Sequence, residues 1–169
     1  MKTCASVAGR RHFMQSGVTA TLLLSPILRA SAAELPKPTS LREELRTANS
    51  MGEPLIVMVS LIGCPFCKLV RDSYLEPLYR KNHMHIFQMD MQSDAKLLDF
   101  DGKVVSQGEL IRIWDIRKAP TVLFFGPNGT QVAERLVGIG LEDFYGAYLD
   151  QRIDSARLSV RESLRTPHT

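Results

Sequence analysis

The sequence predicts an α/β fold in which a central mixed sheet is flanked by helices. The stretch PLIVMVSL, residues 54–61, is a continuous apolar run rich in β-branched residues, as expected of a strand buried on both faces. Segments with a helical spacing of apolar residues precede and follow it. The predicted order is α, β, α, β, α, β, β, α, and helices on both faces of one sheet would cover strands this apolar.

Residues 1–33 are predicted to be a cleaved signal peptide and not part of the fold. A basic stretch without acidic residues precedes a short apolar run, and Ala30 and Ala32 form an A-x-A cleavage pattern. The apolar run is far shorter than the roughly 20 residues of a membrane-spanning helix. Arg10 and Arg11 open RRHFM, which resembles a twin-arginine export signal; the alternative is a Sec leader with a chance arginine pair. We therefore expect the mature protein in the periplasm.

The charge balance changes once this leader is set aside. The whole chain carries a net charge of +3, but the leader contains four basic residues and no acid, which leaves the rest at about −1. No nucleic-acid partner is expected of such a chain. Cleavage also removes Cys4, so the mature protein keeps Cys64 and Cys67, in a compartment where disulfides persist.

The mature chain is expected to form one domain over residues 34–157. The segment ELPKP, residues 34–38, is predicted to be an extended linker because its prolines disfavour a helix. Thr39 or Ser40 can cap a first helix, which Gly52 ends. Its apolar face is formed by three residues: Leu41, Leu45 and Ala48.

The middle of the chain predicts a helix, a strand and an insertion. After the strand 54–61, a helical period begins at Pro65, and Pro77 is expected to kink or end that helix. HMHIFQMDM, residues 83–91, is a second predicted strand. Residues 92–106 are a polar excursion with a predicted turn at Asp101-Gly102.

The last third of the chain predicts a helix, a hairpin and a final helix. Ser106 can cap a short helix, and the strand 120–125 is followed by the turn GPNG and a returning strand, TQVAERLVG. An amphipathic helix is predicted from Leu141 to about Leu158. The polar residues 158–169 are predicted to be a flexible tail.

The pair Cys64 and Cys67 indicates thiol–disulfide chemistry. Cys64 would end a strand and begin a helix, with Pro65 at the first helical position, where a missing N–H is harmless. The free N–H groups of the first turn would favour a thiolate at Cys64. Cys67, one turn further, could attack a mixed disulfide formed on Cys64. The expected redox group is a Cys64–Cys67 disulfide, with no further cofactor.

Other uses of the two cysteines fit less well. A zinc site needs about four ligands, but there is no second cysteine pair, and His83 and His85 alternate along a predicted strand. A c-type haem needs C-x-x-C-H, whereas residue 68 is Lys. A structural disulfide closing so short a loop would add little stability. No metal is therefore expected.

Two segments resemble the thioredoxin fold, and the match covers nearly all of residues 39–157. GCPFCKLV resembles the active-site segment, and WDIRKAPTVLFFGPNGTQVAERLVGIG resembles the half that follows it, with an insertion before that half. The resemblance implies that Pro120 is a cis-proline beside the disulfide, with Ala119 facing an extended substrate. The alternative is a trans-proline that starts an edge strand. The implied substrate-binding groove comprises Ala119, Pro120, Pro65, Phe66 and Gly138, although Gly138 would also suit an ordinary turn.

The insertion indicates a particular group within this fold family, because it resembles that of exported thioredoxin-related proteins of the SoxW type. This likeness implies protein disulfides as substrates and re-reduction by a membrane thiol transporter of the CcdA/DsbD kind. We expect a monomer. The alternative function is a chaperone-like or partner-binding module in which the redox chemistry is incidental, and peroxide reduction at Cys64 is a third possibility.

Two positions depart from the thioredoxin pattern. Thioredoxin carries a buried acid six residues before its first active-site cysteine, but that position is Met58 here, and no other buried base is evident. Phe66 lacks the hydrogen-bond donor of strongly oxidising DsbA-type sites. We therefore expect a reductase rather than an oxidase.

Overall fold

The computed structural model describes residues 34–166. The predicted signal peptide, with its twin-arginine motif, its cleavage site and Cys4, lies outside the described residues. The helices are α1 (Leu41–Ser50), α2 (Pro65–Leu69), α3 (Glu76–Asn82), α4 (Gln107–Ile113) and α5 (Tyr145–Arg165). The strands are β1 (Leu55–Ser60), β2 (Ile86–Asp90), β3 (Lys96–Leu98), β4 (Val104–Ser106), β5 (Thr121–Phe125) and β6 (Leu136–Val137).

Four strands form the predicted central mixed sheet, in the order β2-β1-β5-β6. β1 pairs with β2 in parallel, with Ser60 opposite Asp90. β5 is antiparallel to both of its neighbours, β1 and β6. Every residue of β1 and β5 is buried, as the two apolar runs predicted. No helix within residues 34–166 is long and apolar enough to cross a membrane.

The sheet has a hydrophobic core on each face because successive strand residues point to opposite sides. One core combines α1, α4 and the β3–β4 hairpin with three residues of β1: Leu55, Val57 and Val59. The other contains Cys67, residues of α5, and Ile56 and Met58 of β1. α2, the helix that carries Cys67 and is called the active-site helix below, therefore packs on the Met58 side of the sheet.

Serine caps begin two of the predicted helices. The Ser40 side chain accepts a hydrogen bond of 3.3 Å from the backbone N–H of Glu43 at the start of α1. Ser106 accepts one of 3.2 Å from Glu109 at the start of α4. Each cap satisfies an N–H group that the helix itself leaves free. The sequence-based predictions of both helices are confirmed.

The helix after Cys64 does not end at Pro77; of the predicted kink or end, the end is wrong. A π-helical segment, Val70–Leu75, follows α2 and leads directly into α3. The N–H of Glu76 bonds to the carbonyl of Arg71, five residues back. Pro77 then occupies the first turn of α3, where its missing N–H is tolerated.

The predicted polar excursion over 92–106 contains a small hairpin. β3 and β4 pair antiparallel, apart from the central sheet, around the predicted turn at Asp101-Gly102. Leu97 and Val105 oppose each other, and both are buried against α1 and α4. The charged residues around Leu97 and Val105 obscured this short apolar pattern in the sequence.

The returning strand of the last hairpin is shorter than predicted. Only Leu136 and Val137 form a regular strand against β5, and Gln131 adds an isolated bridge to Phe125. Pro127–Gly129 forms the predicted tight turn, with Asn128 in a left-handed conformation.

The prediction of a flexible tail from residue 158 is wrong for residues 158–165, because α5 continues to Arg165. Val160 is fully buried, one helical step beyond Ala156. Arg161 donates a hydrogen bond of 3.2 Å to the carbonyl of Gly52 and pairs with Glu53. These contacts hold the last turns of α5 against the start of β1.

The predicted linker 34–38 is extended but firmly packed. Leu35 is buried, and the carbonyl of Pro36 accepts a hydrogen bond of 2.8 Å from the N–H of Gln88 in β2. The segment thus covers part of the outer edge of β2, which would otherwise present free backbone groups.

Candidate functional site

Cys64 is the N-cap of α2, at the end of the loop that leaves β1. Its Sγ accepts a hydrogen bond of 3.1 Å from the backbone N–H of Cys67. Its own N–H bonds to the carbonyl of Leu61, which fixes the loop before the helix. Pro65 occupies the first helical turn, as predicted. A negative charge on this sulfur would face the positive end of the short helix.

Cys67 lies one turn behind Cys64 and is buried, with a relative exposure of 2%. Both cysteines are free thiols in this structure. Burial raises the pKa of the Cys67 thiol from 9.0 to about 12, and its hydrogen bond to Cys64 acts in the same direction. The backbone of Leu61 and the charge of Arg71 oppose this shift. The inner thiol therefore keeps its proton at neutral pH.

The Ala119–Pro120 peptide bond is cis and lies beside Cys64. The carbonyl oxygen of Ala119 is 4.0 Å from the Cys64 Sγ. Gly138, at the end of β6 with a φ of +71°, donates its N–H to the carbonyl of Pro120 over 2.8 Å. The structure thus brings Ala119 beside the outer cysteine and joins Gly138 to Pro120 by a backbone hydrogen bond.

Two exposed apolar side chains lie close to Cys64 in the chain. Phe66 follows in the redox motif and is 54% exposed, and Ile62 in the preceding loop is 81% exposed. Exposed side chains of this size offer contact area to another protein. Phe66, which the resemblance assigned to the groove, is therefore exposed to solvent.

A cleft of about 650 Å³ opens beside the cysteines. Both Cys64 and Cys67 line it, but Ala119, Pro120 and Gly138 do not. Its floor is formed by three polar residues from the ends of β1 and β2: Ser60, Gln88 and Asp90. The sequence analysis missed these three. The available signal was the alternation Ile86, Gln88, Asp90, in which an apolar strand face turns polar at one end.

One carboxylate forms ion pairs with two cations, one on α2 and one on the π-helical segment that follows it. Lys68 and Arg71 both form ion pairs with Asp72, the latter at 2.8 Å. Burial alone would raise the pKa of Asp72, but these two hydrogen-bonded cations lower it below its ordinary value. Asp72 is therefore an anion in the neutral range.

Met58, at the position where the thioredoxin pattern places an acid, is fully buried. It belongs to the same core as Cys67. The described carboxylates that line the cleft are Glu34 and Asp90, which come from other elements. A proton that leaves Cys67 must therefore be accepted by a group other than the buried acid of thioredoxin.

Comparison with protein families gives one match. The model of the thioredoxin-like domain matches residues 41–152, which include both cysteines and Pro120. No curated protein sequence matches the chain.

Solved structures with a similar fold include three thioredoxin-related proteins, all of low sequence identity. A thioredoxin-fold protein from Helicobacter pylori is 14% identical, with a TM-score of 0.49, and the match covers 80% of this chain and 96% of that one. Poplar thioredoxin h is 19% identical, with a TM-score of 0.46 and coverage of 64% and 85%. The periplasmic thioredoxin SoxS from Paracoccus pantotrophus is 18% identical, with a TM-score of 0.40 and coverage of 62% and 99%.

Proposed function

The chain belongs to the thioredoxin-like domain family, and from this membership and its site we propose that it is a periplasmic thiol–disulfide oxidoreductase that reduces protein disulfides. The observation that carries the proposal is the asymmetry of the cysteine pair. The Cys64 Sγ is reachable and accepts an N–H of the first helical turn, whereas the Cys67 thiol is buried behind it. Cys64 can therefore attack a partner protein, while Cys67 is shielded from that partner.

The reduction proceeds in two exchanges. The Cys64 thiolate attacks one sulfur of the substrate disulfide, forming a mixed disulfide and releasing the other substrate sulfur as a thiolate. Cys67 then loses its proton and attacks the Cys64 sulfur, so that the Cys64–Cys67 disulfide forms and the second substrate sulfur leaves. Two electrons pass from the protein to the substrate. The oxidised pair must be reduced again before the next turnover.

The groove at Ala119 and Pro120 would hold the substrate during the first exchange. The Ala119 carbonyl, 4.0 Å from the Cys64 Sγ, is placed to meet the backbone of an extended segment beside the attacking sulfur. Pro65 and Phe66 would contact the substrate from the helix side, and Gly138 holds Pro120 through a backbone hydrogen bond. Exposed Phe66 would supply apolar contact.

The location and the electron donor are proposed from the sequence. The leader pattern in residues 1–33 favours export to the periplasm. The insertion over 92–106 favours a relative of the SoxW type, re-reduced by a membrane thiol transporter of the CcdA/DsbD kind. No cofactor other than the cysteine pair takes part in the proposed reaction, and we propose that the protein acts as a monomer.

Dithiol-driven reduction of insulin by the purified mature domain tests the proposed activity. We expect Cys64→Ser to abolish turnover, because the remaining thiol, Cys67, is buried and cannot attack a protein disulfide. Cys67→Ser should instead accumulate mixed disulfides, visible as a mass shift that a reductant removes. Normal turnover by Cys64→Ser would contradict the assigned nucleophile.

The chaperone-like alternative makes the opposite prediction for a double variant. Exposed Ile62 and Phe66 beside the site would suit partner binding without redox chemistry. If Cys64→Ser/Cys67→Ser supports the biological effect of the wild type, the binding function is favoured over the reductase. If that variant is inactive although folded, the reductase is favoured.

A further inference from the structure

The face of the sheet beneath the active-site helix changes from apolar to polar at one end. Along β1 this face carries Ile56, Met58 and then Ser60. Along β2 it carries Ile86 and then two polar residues, Gln88 and Asp90. The register sets Gln88 opposite Met58, and Asp90 opposite Ser60. The polar end coincides with the floor of the cleft that Cys67 lines.

Within this floor, one hydrogen bond joins the two strands and one polar atom lacks a partner. The Gln88 Nε2 donates to the Ser60 Oγ over 3.0 Å, and Ser60 is almost fully buried. The Gln88 Oε1 is buried and has no protein partner in the described part of the chain. A buried amide oxygen without a partner is costly unless water reaches it. Gln88 lines the cleft, whose volume of about 650 Å³ is large enough to hold water.

The proposed reaction creates a need for such a water. Resolution of the mixed disulfide requires the Cys67 thiol to lose its proton, although burial holds that proton strongly. Met58 cannot accept it. A proton on Cys67 must therefore pass to the cleft, which is the polar region that this sulfur borders.

We propose that Ser60 and Gln88 are positioning residues that hold a water against Cys67, through which the thiol proton passes to the Asp90 carboxylate. This inference rests on the proposed thiol–disulfide exchange. As Cys67 attacks the Cys64 sulfur, the bond between Cys64 and the substrate sulfur breaks. The proton moves through the water to Asp90, and the substrate sulfur leaves as a thiolate. Asp90, which is partly exposed, then returns the proton to solvent.

The charged groups around the cleft favour Asp90 as the acceptor. Lys37 and Glu34 face the cleft from the N-terminal segment, and Lys68 and Arg71 face it from the active-site helix and the π-helical segment after it. Both of these helix cations pair with Asp72, which they keep ionised and engaged. Asp90 lies at the end of β2 beside Ser60, with one carboxylate oxygen fixed by the N–H of Gln92 over 2.8 Å.

The two exchanges can be timed separately with a coloured aryl disulfide, dithiobis(nitrobenzoate), added to the reduced protein in a stopped-flow instrument. The attack of Cys64 releases a first thionitrobenzoate, and the attack of Cys67 releases a second. We expect Gln88→Leu and Ser60→Ala to leave the first phase unchanged. The second phase should slow at least about tenfold at neutral pH, and its rise with pH should move to higher pH.

Matched variants separate proton transfer from packing. Gln88→Glu places a carboxylate at the same position and should recover most of the second-phase rate lost in Gln88→Leu. Asp90→Asn should slow the second phase in the same way as Gln88→Leu. Gln92→Leu makes the same change at an exposed residue nearby and should behave as the wild type.

The outcomes separate a failure of the proton route from a failure of the proposed thiol–disulfide exchange on which it rests. If the wild type releases two equivalents but Gln88→Leu and Asp90→Asn keep its second-phase rate and pH profile, the proton route is refuted while the exchange chemistry stands. If the wild type releases only one equivalent and fails to reduce insulin, the proposed function itself is refuted. Slowing of both phases, or slowing with an unchanged pH profile, would indicate a structural role and also refute the route.

Discussion

The backbone N–H of Cys67 donates to the Cys64 Sγ over 3.1 Å, yet the two sulfurs lie in different environments. Cys64 is partly exposed at the N-cap of a helix, whereas Cys67 is buried in the core beneath it. A single turn of helix thus separates a partly exposed sulfur from a buried one.

This difference predicts selective alkylation of the reduced protein. We expect iodoacetamide at mildly alkaline pH to modify Cys64 at least about tenfold faster than Cys67, because the buried thiol is both less accessible and less ionised. Peptide mass spectrometry after timed quenching measures both rates. Cys64→Ala isolates the reaction of the inner thiol, and rapid labelling of Cys67 in that variant would contradict the expected protection.

The raised pKa of Cys67 also predicts that the reduced protein loses stability at alkaline pH. Between about pH 9 and pH 12 the unfolded chain has released this proton but the folded chain has not. The unfolded state then binds fewer protons, so the free energy of unfolding falls as pH rises, by up to about 1.4 kcal/mol per pH unit. Below about pH 9 both the folded and the unfolded chain keep this proton, so the stabilisation is fully present.

Urea unfolding at about pH 8 and about pH 10 measures this loss. Cys67→Ala serves as the reference, because it retains every other group that titrates in the range. The wild-type protein should lose more stability than Cys67→Ala over this interval. Equal losses would mean that the inner thiol has an ordinary pKa.

The last turns of α5 should contribute measurably to stability. Ending the chain after Arg157 removes buried Val160, together with the contacts of Arg161 to Gly52 and Glu53. We expect a loss of about 2 kcal/mol in the free energy of unfolding, most of it from the buried side chain. Ending the chain after Arg165 is the matched control and should cost little. Equal stability of the two truncated chains would mean that these turns do not pack.

Gly129 is expected to be the least replaceable glycine of the turn after β5. Its φ is +70°, and an added Cβ would lie 2.5 Å from the ring of Phe100. That ring packs at 4.8 Å from Phe125, within an aromatic cluster that also contains Trp114. A clash there would have to displace more than one ring.

Gly140 provides the comparison, because its φ is +57° but no atom lies within 4 Å of an added Cβ. Gly140→Ala should cost about 1 kcal/mol for the backbone conformation alone. Gly129→Ala should cost at least about 1 kcal/mol more because of overpacking. Thermal unfolding of both variants measures the difference, and equal losses would contradict the clash.

The sequence predicted those parts of the fold whose local signals agree with their final surroundings. Ser40 and Ser106 precede apolar residues at helical spacing, and both cap helices. The run 54–61 contains no polar residue until Ser60, and it forms a central strand. The cysteine pair was identified because Pro65 after Cys64 marks the beginning of a helix.

The predictions failed where local composition conflicted with packing. Pro77 predicted a kink or an end of the helix, and the end is wrong because the π-helical turn before it lets the helix continue. The last turns of α5 look polar, although Ile153, Ala156 and Val160 keep a helical spacing into the core. The polar floor of the cleft was missed for another reason: Ser60 and Gln88 meet only when β1 and β2 are paired in register.

The packed segment at residues 34–38 has a practical consequence for work with this protein. Glu34 and Lys37 border the cleft beside the cysteines, so an affinity tag joined directly before Glu34 would emerge next to the reactive sulfur. The far end of α5 contacts Gly52 and Glu53, just before β1, whereas the cysteines follow that strand. α5 therefore ends near the end of the sheet opposite Cys64, and a tag at the C-terminal side of this helix should leave the approach to Cys64 clear.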